Sequence, residues 1–475
     1  MQDRFGPAIA ANRFGLGARP GEMEGIGSDP QGWLTAQLKG GTPKFDDAGL
    51  RPSQEILVET LEVRRDLREM RRANGGKKPV ANPDDTKTVV QQVMKLRQLY
   101  RPIYVSEVTA RLAHAVGTDR PFLERLAQFW TNHFAVSIDK VAVLGLAGTL
   151  EREAIRPHVL GNFSDLLLAV EQHPAMLLYL DNHLSVGPNS RAARMLARRR
   201  TARQVGINEN LAREILELHT LGVEGGYTQK DVTTFAEVIT GWSIGGNFGA
   251  LKRGEPGKFV FRPEVHEPGA KTVLGKSYSQ DDVAQGVAVL RDVAAKAATA
   301  RFIATKLARH FIADDPPLAA VARIEKAFLQ GRGDLPTVYR ALVDSPEAWQ
   351  VTLPKYKTPN DYIVSTYRGL SLPVQGRQSG LAAFELLGQR TWSPGSPAGW
   401  PDRSIDWDGA SALMKRIEWA DAVGQRVGAR SDAAELGPVL LGETLNTETR
   451  TAIARAASGA QGLTLLLTSP EFLRR

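Results

Sequence analysis

The groups best suited to chemistry lie in residues 206–242, where one predicted helix carries Glu214, Glu217 and His219. Carboxylates and imidazoles are the usual acids, bases and metal ligands of enzymes. On an α-helical wheel, His219 falls within the apolar arc, roughly 140–160° from either glutamate. We therefore expect His219 to point into the interior and the two glutamates to occupy a separate polar edge.

Two more histidines, His133 and His310, also fall on apolar faces of predicted helices. Facing helices of a bundle can supply neutral imidazoles to zinc, iron, copper or nickel. The candidate ligands of a transition metal are therefore His133, His219 and His310. The alternative is that each is a core histidine whose two ring nitrogens are hydrogen-bonded, as burial requires.

Acid–base catalysis without a metal is a second way to use the carboxylates. Glu214 and Glu217 could have different pKa values if both face a cleft, so that one gives and the other takes a proton. His266, in a predicted loop, is a third candidate catalytic residue, because loops often carry functional groups. The alternative for the two glutamates is a surface ladder of ion pairs through Arg213.

A basic segment between residues 190 and 203 holds much of the excess charge of this chain, which has a formal net charge of +8. The segment contains no acidic residue, and its arginines are Arg191, Arg194, Arg198, Arg199, Arg200 and Arg203. We predict a weak, salt-sensitive anion-binding surface here, with a merely solvated helix face as the alternative. The segment has no aromatic residue between its arginines, which argues against a nucleic-acid partner.

Composition excludes several other classes of protein. The apolar and charged fractions, 42% and 24%, are those of an ordinary globular chain. The chain has no cysteine, so disulfides, thiolate metal sites and cysteine nucleophiles are excluded. No run of about 18 apolar residues occurs, so we expect no transmembrane helix. The first residues lack a basic stretch followed by an apolar core, which predicts a cytoplasmic location for the chain as written.

The fold expected from this sequence is mainly α. Apolar residues recur at helical spacing through most of the chain, which predicts a large, bundle-like assembly of helices with a minor β-hairpin arm around 258–275. Residues 1–280 would form the main domain, with an exposed, breaker-rich excursion at 74–86. Residues 281–475 would form a second helical lobe packed on the first, or a continuation of the same domain.

One long loop, residues 391–407, contains Trp392, Trp400 and Trp407 among several prolines. Such a loop either lines a cleft or seals the end of a helical bundle. Sealing is the interpretation we favour from sequence.

Several motifs along the chain resemble, in their order, those of the bacterial family called domain of unknown function 1800. These motifs are ANRFGLGARPGE, FWTNHFAVS, REAIRPHVLGNF, HPAMLLYLDN, GPNS, NENLAREILELHTLGVEGGYTQ, HEPGAKTVLG, KLARHFIADDPP, SPAGWPD and SPEFLRR. The resemblance covers nearly the whole chain. It brings no established activity that could be transferred to particular residues.

The resemblance does imply a partner. Members are commonly encoded beside a second family, domain of unknown function 1501, which resembles alkaline phosphatases and sulfatases and often carries a twin-arginine export signal. Our leading expectation is therefore a companion protein of a phosphatase- or sulfatase-like neighbour, which is also compatible with export together with that neighbour. The alternative is a metal- or carboxylate-dependent enzyme with a buried histidine and glutamate site between helices.

Overall fold

The computed structural model describes residues 4–42, 49–73, 83–197, 206–248, 253–352, 354–374 and 380–475. Helices dominate it, so the prediction of a mainly α protein with a minor β component is confirmed. In chain order, the α-helices are α1 (Gly6–Ile9), α2 (Glu22–Ile26), α3 (Pro30–Ala36), α4 (Ser53–Ala73), α5 (Pro83–Gly117), α6 (Pro121–His133), α7 (Ala147–Thr149), α8 (Phe163–Glu171), α9 (Pro174–Tyr179), α10 (Arg191–Ala197), α11 (Asn210–Glu214), α12 (Gln229–Val238), α13 (Val283–Ala294), α14 (Ala297–Phe311), α15 (Leu318–Gln330), α16 (Leu335–Val343), α17 (Pro359–Gly369), α18 (Leu381–Leu386), α19 (Ala410–Val427), α20 (Ala433–Leu441), α21 (Thr447–Ala454), α22 (Gly459–Leu467) and α23 (Pro470–Leu473).

Short 3-10 helices connect several of these elements. They are Val141–Val143, Arg156–His158, Asn182–Leu184, Pro346–Trp349, Ser404–Asp406 and Gly442–Thr444.

Three segments of the described chain are π-helical: Ala10–Phe14, Leu150–Ile155 and Ile215–Thr220. In a π-helix the backbone N–H bonds the carbonyl five residues earlier, so residues five apart lie on the same side. Such turns are rare and occur frequently at functional sites. An α-helical wheel therefore misplaces side chains in all three segments.

Capping residues mark the N-termini of several helices. Asp29 accepts a hydrogen bond from the Gly32 N–H at 2.8 Å, and Pro30 occupies the first turn of α3. Thr228 and Asp231 form a reciprocal capping box at the start of α12. These contacts satisfy backbone N–H groups that have no partner within the helix.

The predicted β arm forms strands, but their pairing differs from the expected hairpin. β1 (Trp242–Ile244) pairs antiparallel with β2 (Phe259–Phe261), while β3 (Lys271–Val273) pairs with β4 (Lys276–Tyr278). The two β-prone runs of the sequence thus belong to different sheets. The physical reason is the turn after β3, where residues 274 and 275 both have positive φ and close a tight hairpin onto the next residues.

Only residues 83–86 of the predicted excursion at 74–86 lie within the described residues. Residues 74–82 lie outside the described residues, while Pro83 begins α5, so residues 83–86 are helical rather than part of a loop. Proline is tolerated there because the first N–H of a helix needs no intrahelical partner.

The hydrophobic core contains residues from both predicted lobes, from Ile9 to Leu473. Backbone bridges also join them, between Asn162 and Asp334 for example. The division at residue 280 stays a prediction. Across the described residues, no helix combines the length and the apolar character needed to cross a membrane.

Candidate functional site

Six charged side chains from separate parts of the fold meet around Asp361, each at most 4% exposed. We call this group the Asp361 cluster, and its members are Arg13, Arg125, Lys357, Asp361, Arg416 and Arg475. The π-helical turn at Ala10–Phe14, the helices α6, α17 and α19, and two extended segments supply them. The group thus combines five cationic side chains with one carboxylate.

Asp361, in the first turn of α17, is shared by two guanidinium groups. Arg125 Nη1 lies 3.0 Å from Oδ1, and Arg475 Nε lies 3.1 Å from Oδ2. Burial alone would raise the pKa of this carboxyl, but Arg125 and Arg475 hold it well below its usual value. Asp361 is therefore ionised and neutralises only part of the surrounding charge.

Two other arginines of the cluster are held by carbonyl groups instead of carboxylates. Arg13 donates to the carbonyl of Ala348 at 2.5 Å and to that of Thr352. Arg416 donates to the Lys357 carbonyl at 2.7 Å. Burial, reinforced by a neighbouring arginine, lowers the pKa of Arg13 to about 10. Arg13 Nε and Arg416 Nη1 are buried without a hydrogen-bond partner, so the positive charge is incompletely satisfied.

Lys357 also lies within this excess of positive charge. Its ammonium group donates to Ser365 Oγ at 3.1 Å and lies 4.0 Å from the centre of the Phe472 ring. The pKa of Lys357 is lowered to about 7, mainly by burial; Asp361 opposes the shift, and Arg125, Arg475 and Arg416 add to it. The protein interior here disfavours one more positive charge.

The Asp361 cluster opens on one side into a pocket, which Arg125, Asp361 and Arg475 line. The other lining groups are aromatic rings, amides, hydroxyls and charged side chains. Among them are Arg111, Gln128, Thr131, Asn132, His310, Lys355, Thr358, Asn360, Gln389, Thr391, Trp392, Trp400, Asp402, Arg403 and Trp407.

The remaining cations of this wall are individually paired. Arg111 Nε contacts Glu151 at 2.8 Å, Lys355 pairs with Asp314, and Arg403 is 3.0 Å from Asp315. The uncompensated charge therefore lies at the buried Asp361 cluster and not at the rim.

The tryptophan-rich loop lines this pocket, so the expectation that it merely seals a bundle end is wrong. All three of its rings contribute to the wall. Asn132, at the end of α6, donates from Nδ2 to the Trp400 carbonyl at 3.0 Å and accepts from the Trp400 N–H at 2.8 Å. Gly399 has φ +85°, and a Cβ there would lie 2.3 Å from the Asn132 carbonyl. The close approach that only glycine permits turns the loop toward the cavity.

His133 and His219 are buried, at 4% and 1% exposure, as the helical spacing predicts. His219 Nδ1 lies 2.7 Å from Glu171 Oε1, and His133 Nε2 lies 3.0 Å from the His219 carbonyl. Their ring centres are 6.3 Å apart. Glu171 Oε2 and His133 Nδ1 are buried without partners. The two rings therefore form a sealed polar pair inside the helical core.

His310 is separated from that pair and contributes to the pocket wall. The Phe129 ring lies between, 5.4 Å from His310 and 6.1 Å from His133. Burial lowers the pKa of both His133 and His310 well below the usual value, which favours neutral rings. Within the described residues, no three side chains of histidine, aspartate or glutamate are placed to hold a metal ion. The metal centre of His133, His219 and His310 stays a prediction.

The π-helical turn corrects the placement of Glu214. Because Ile215–Thr220 is π-helical, Glu214 and His219, five residues apart, lie on the same side instead of about 140° apart. Burial raises the pKa of Glu214. Glu217 is partly buried and accepts a long hydrogen bond, 3.5 Å, from Tyr227. Arg213 contacts Glu209 at 2.9 Å, so only part of the predicted surface ladder forms.

The loop candidate His266 lies away from the pocket wall. Its Nδ1 is 2.9 Å from the Thr240 carbonyl. The adjacent Glu267 is buried and accepts from the Asn189 N–H at 2.8 Å. This pair of residues ties the loop to the helical body, and a catalytic role for His266 stays a prediction.

Of the six arginines in the basic segment, Arg191 and Arg194 lie exposed on α10. Arg198, Arg199, Arg200 and Arg203 lie outside the described residues. An anion-binding role for this surface stays a prediction.

Two short sequence patterns lack the structural setting that their usual chemistry needs. Residues 241–245 read Gly-x-Ser-x-Gly, but Ser243 is 2% exposed within strand β1, whereas a nucleophile elbow exposes its serine between a strand and a helix. Residues 270–277, AKTVLGKS, are similar to a phosphate-binding loop but form the hairpin of β3 and β4.

The Asp361 cluster is not predicted from the sequence. One signal was present: residues 355–361, KYKTPND, place two lysines and an aspartate immediately before and within the first turn of α17. Nothing in the spacing shows that Arg13, Arg125 and Arg475 converge on it.

Fold and site together define the chain as a mainly α protein with a cation-rich, tryptophan-lined pocket. The model of the family described as "Protein of unknown function (DUF1800)" matches residues 9–474, so the chain belongs to that family, as its motifs predict. No curated protein and no solved structure matches the chain.

Proposed function

We propose that the pocket binds a small molecule that carries an anionic group, either a carboxylate or a phosphate or sulfate ester. The observation that supports the proposal is the Asp361 cluster, in which five buried basic side chains surround one carboxylate and two of them, Arg125 and Arg475, line the pocket. Buried positive charge in excess of the nearby negative charge is unfavourable, and an anion in the pocket would offset part of that excess.

The geometry favours an anion over a neutral ligand. Arg125 and Arg475 reach Asp361 from two directions with one nitrogen each, at 3.0 and 3.1 Å. Guanidinium groups present several donors in a planar fork, which suits bidentate contact with carboxylate or phosphate oxygens. The surrounding interior screens these charges weakly, which strengthens the attraction.

Chemical denaturation in phosphate, sulfate or acetate tests this proposal, with sodium chloride at matched ionic strength as the reference. A bound anion raises the free energy of unfolding as RT ln(1 + [L]/Kd). We expect saturable stabilisation by at least one anion, and at least tenfold weaker binding in Arg475→Gln. Arg403→Gln is the matched control, because Arg403 lines the same pocket but pairs with Asp315. Equal stabilities in all salts would contradict the proposal.

A companion role beside a phosphatase- or sulfatase-like protein of the family 1501 is a second candidate function. It is supported by exposed apolar side chains beside the pocket, since Ile405 is 76% exposed and lies between the lining residues Arg403 and Trp407. Leu318 is 74% exposed and lies three residues from Asp315, the partner of Arg403. Apolar groups at a polar rim are common where proteins associate.

Co-expression of the two proteins followed by size-exclusion chromatography tests the companion role. We expect a stoichiometric complex that Ile405→Glu disrupts. Val223→Glu is the matched control, because Val223 is similarly exposed, at 71%, and is not a pocket residue. Separate elution of the two wild-type proteins at micromolar concentration would reject this role.

An enzymatic centre built on Glu214, Glu217 and His219 is the third candidate. The π-helical turn supports it by bringing Glu214 to the side of His219, whose Nδ1 lies 2.7 Å from Glu171 Oε1. A histidine held by a carboxylate is a common arrangement for proton transfer. Elemental analysis of purified protein tests the metal-dependent version of this candidate. Less than about a tenth of an equivalent of any transition metal, before and after reconstitution, would exclude His133, His219 and His310 as metal ligands.

A further inference from the structure

We infer that the ligand of this pocket carries a ring in addition to its anionic group, and that the ring lies against Trp400. The inference rests on the proposed function, since it takes the anion to lie near Arg125 and Arg475. It assigns the aromatic side of the same pocket to the second part of the ligand. The structure gives three reasons for choosing Trp400.

The first reason is that the other two indoles are already engaged. Trp392 is buried, its Nε1 donates to Glu151, and Arg111 lies over its ring at 5.9 Å. Trp407 is also buried, and its Nε1 donates to the Pro401 carbonyl at 3.0 Å. Trp400 is partly exposed and is therefore the indole of this wall that can accept a ligand on its face.

The second reason is that Trp400 is held in place without a ligand. The Asn132 side chain makes two hydrogen bonds to its backbone, and the Trp407 ring lies 5.9 Å away at a 51° tilt. A ring fixed in advance loses little conformational freedom on binding. An apolar face kept fixed toward an open cavity favours contact with a flat, weakly hydrated surface.

The third reason is that several polar groups of the wall already bond one another. Asn360 Nδ2 donates to Gln128 Oε1 at 2.9 Å, and Asn360 Oδ1 accepts from Arg111 at 3.2 Å. Such fixed contacts give the cavity a defined shape. A ligand that consisted of an anion alone would leave the tryptophan side of that shape unfilled.

Either an aromatic ring or the C–H face of a sugar ring could supply this contact, and the experiment distinguishes them. Binding to wild-type protein is measured by calorimetry and by tryptophan emission at matched ionic strength. The phosphate probes are inorganic phosphate, phenyl phosphate and glucose 6-phosphate, and the carboxylate probes are acetate, benzoate and glucuronate.

In whichever series the bare anion binds, we expect at least one ring-bearing member to bind roughly tenfold more tightly, in line with the contribution of one aromatic contact. The gain should disappear in Trp400→Ala and largely return in Trp400→Phe, which keeps an aromatic ring. Trp33→Phe is the control for emission and for a tryptophan replacement outside the pocket.

The outcomes separate the two levels of inference. If bare anions bind but rings add nothing, or if the gain survives in Trp400→Ala, the ring inference is overturned and the anion site stands. If no anion binds the wild-type protein, the proposed function falls and the ring inference falls with it. Retained binding of the bare anion by Trp400→Ala shows that this variant is folded.

Discussion

The interior of this protein contains two networks of buried charge that differ in balance. In the first, which we call the balanced network, each carboxylate meets at least one guanidinium at 2.6 to 2.8 Å. Its members are Glu107, Arg111, Glu124, Glu151, Arg152 and Arg156. In the Asp361 cluster, five basic side chains surround one carboxylate. The charges of the balanced network therefore compensate one another, whereas a bound anion would stabilise the Asp361 cluster.

Two pKa shifts illustrate this contrast. Burial would raise the pKa of Glu124, but Arg156 holds it well below the usual value, so this pair is charged. For Glu107 of the same network, burial does raise the pKa, although Arg152 opposes the shift. In the Asp361 cluster, burial and neighbouring cations lower the pKa of Lys357 to about 7. Functional sites concentrate shifted pKa values, which agrees with binding at the Asp361 cluster.

The largest expected loss of stability comes from a substitution in the balanced network. Arg156→Met removes the guanidinium that lies 2.6 Å from both Glu124 and Glu151 and leaves buried carboxylates under-paired. We expect the free energy of unfolding to fall by about 3–5 kcal/mol. Urea denaturation measures it. Added phosphate should not restore the loss, and restoration would mean that this network also accepts anions.

A substitution in the Asp361 cluster tests whether phosphate stabilises this cluster more than it stabilises the balanced network. Asp361→Asn leaves Arg125 and Arg475 without their shared carboxylate, so we expect a loss of roughly 2–4 kcal/mol in chloride. Because the cluster would then carry more uncompensated positive charge, phosphate should recover more stability in this variant than in wild type. Urea denaturation with and without phosphate measures both effects. Equal responses of Asp361→Asn and Arg156→Met would erase the distinction between the networks.

The titration of Lys357 should have a smaller effect, an increase in the free energy of unfolding as the pH rises. Its pKa is lower in the folded chain than in the unfolded chain, so between about pH 7 and pH 10 the unfolded chain binds more protons. The free energy of unfolding should therefore rise with pH by up to about 1.4 kcal/mol per unit, and this contribution should be constant below that window. Lys357→Met should lack the slope. Unfolding curves of both proteins from pH 6 to 9.5 measure the difference, and parallel profiles would contradict a lowered pKa.

The smallest effect concerns the exposed basic surface. Replacing Arg191 and Arg194 with glutamine should change the free energy of unfolding by less than about 0.5 kcal/mol, because both side chains are exposed on α10. Retention on a heparin column should fall slightly, because two exposed positive charges are lost. Unchanged retention would exclude this part of the surface as an anion site and leave the pocket as the stronger candidate.

The sequence predicts the fold class, a mainly α protein with a minor β component, and the structure has it. Neighbouring residues account for the helix Ser53–Ala73, the proline-initiated helix after Asp29 and the capping box of Thr228. The inward positions of His133 and His219 follow from helical periodicity. These features depend on contacts within a few residues, which a sequence displays directly.

The pocket could not be predicted in the same way. Arg125 and Asp361 are 236 residues apart, and Arg475 is a further 114 from Asp361, so their meeting depends on how distant helices pack. The sequence allows the tryptophan-rich loop to line a cleft, but its direction depends on Asn132 and on the close approach at Gly399. The wheel failed at Glu214 because helical periodicity itself changes there.

The π-helical turn at Ile215–Thr220 has a consequence for how the length of this chain can vary. Such a turn is an ordinary helix with one residue added, and here it carries the buried His219. Deleting one of residues 215–218 would place Glu214 and His219 four positions apart, so a regular α-helix could form and keep both on nearly the same side. The segments before and after the turn would keep their relative orientation, whereas the same deletion in a regular α-helix would rotate them by about 100°. The chain can therefore be shortened by one residue at this turn with less disturbance to its packing than within any regular helix.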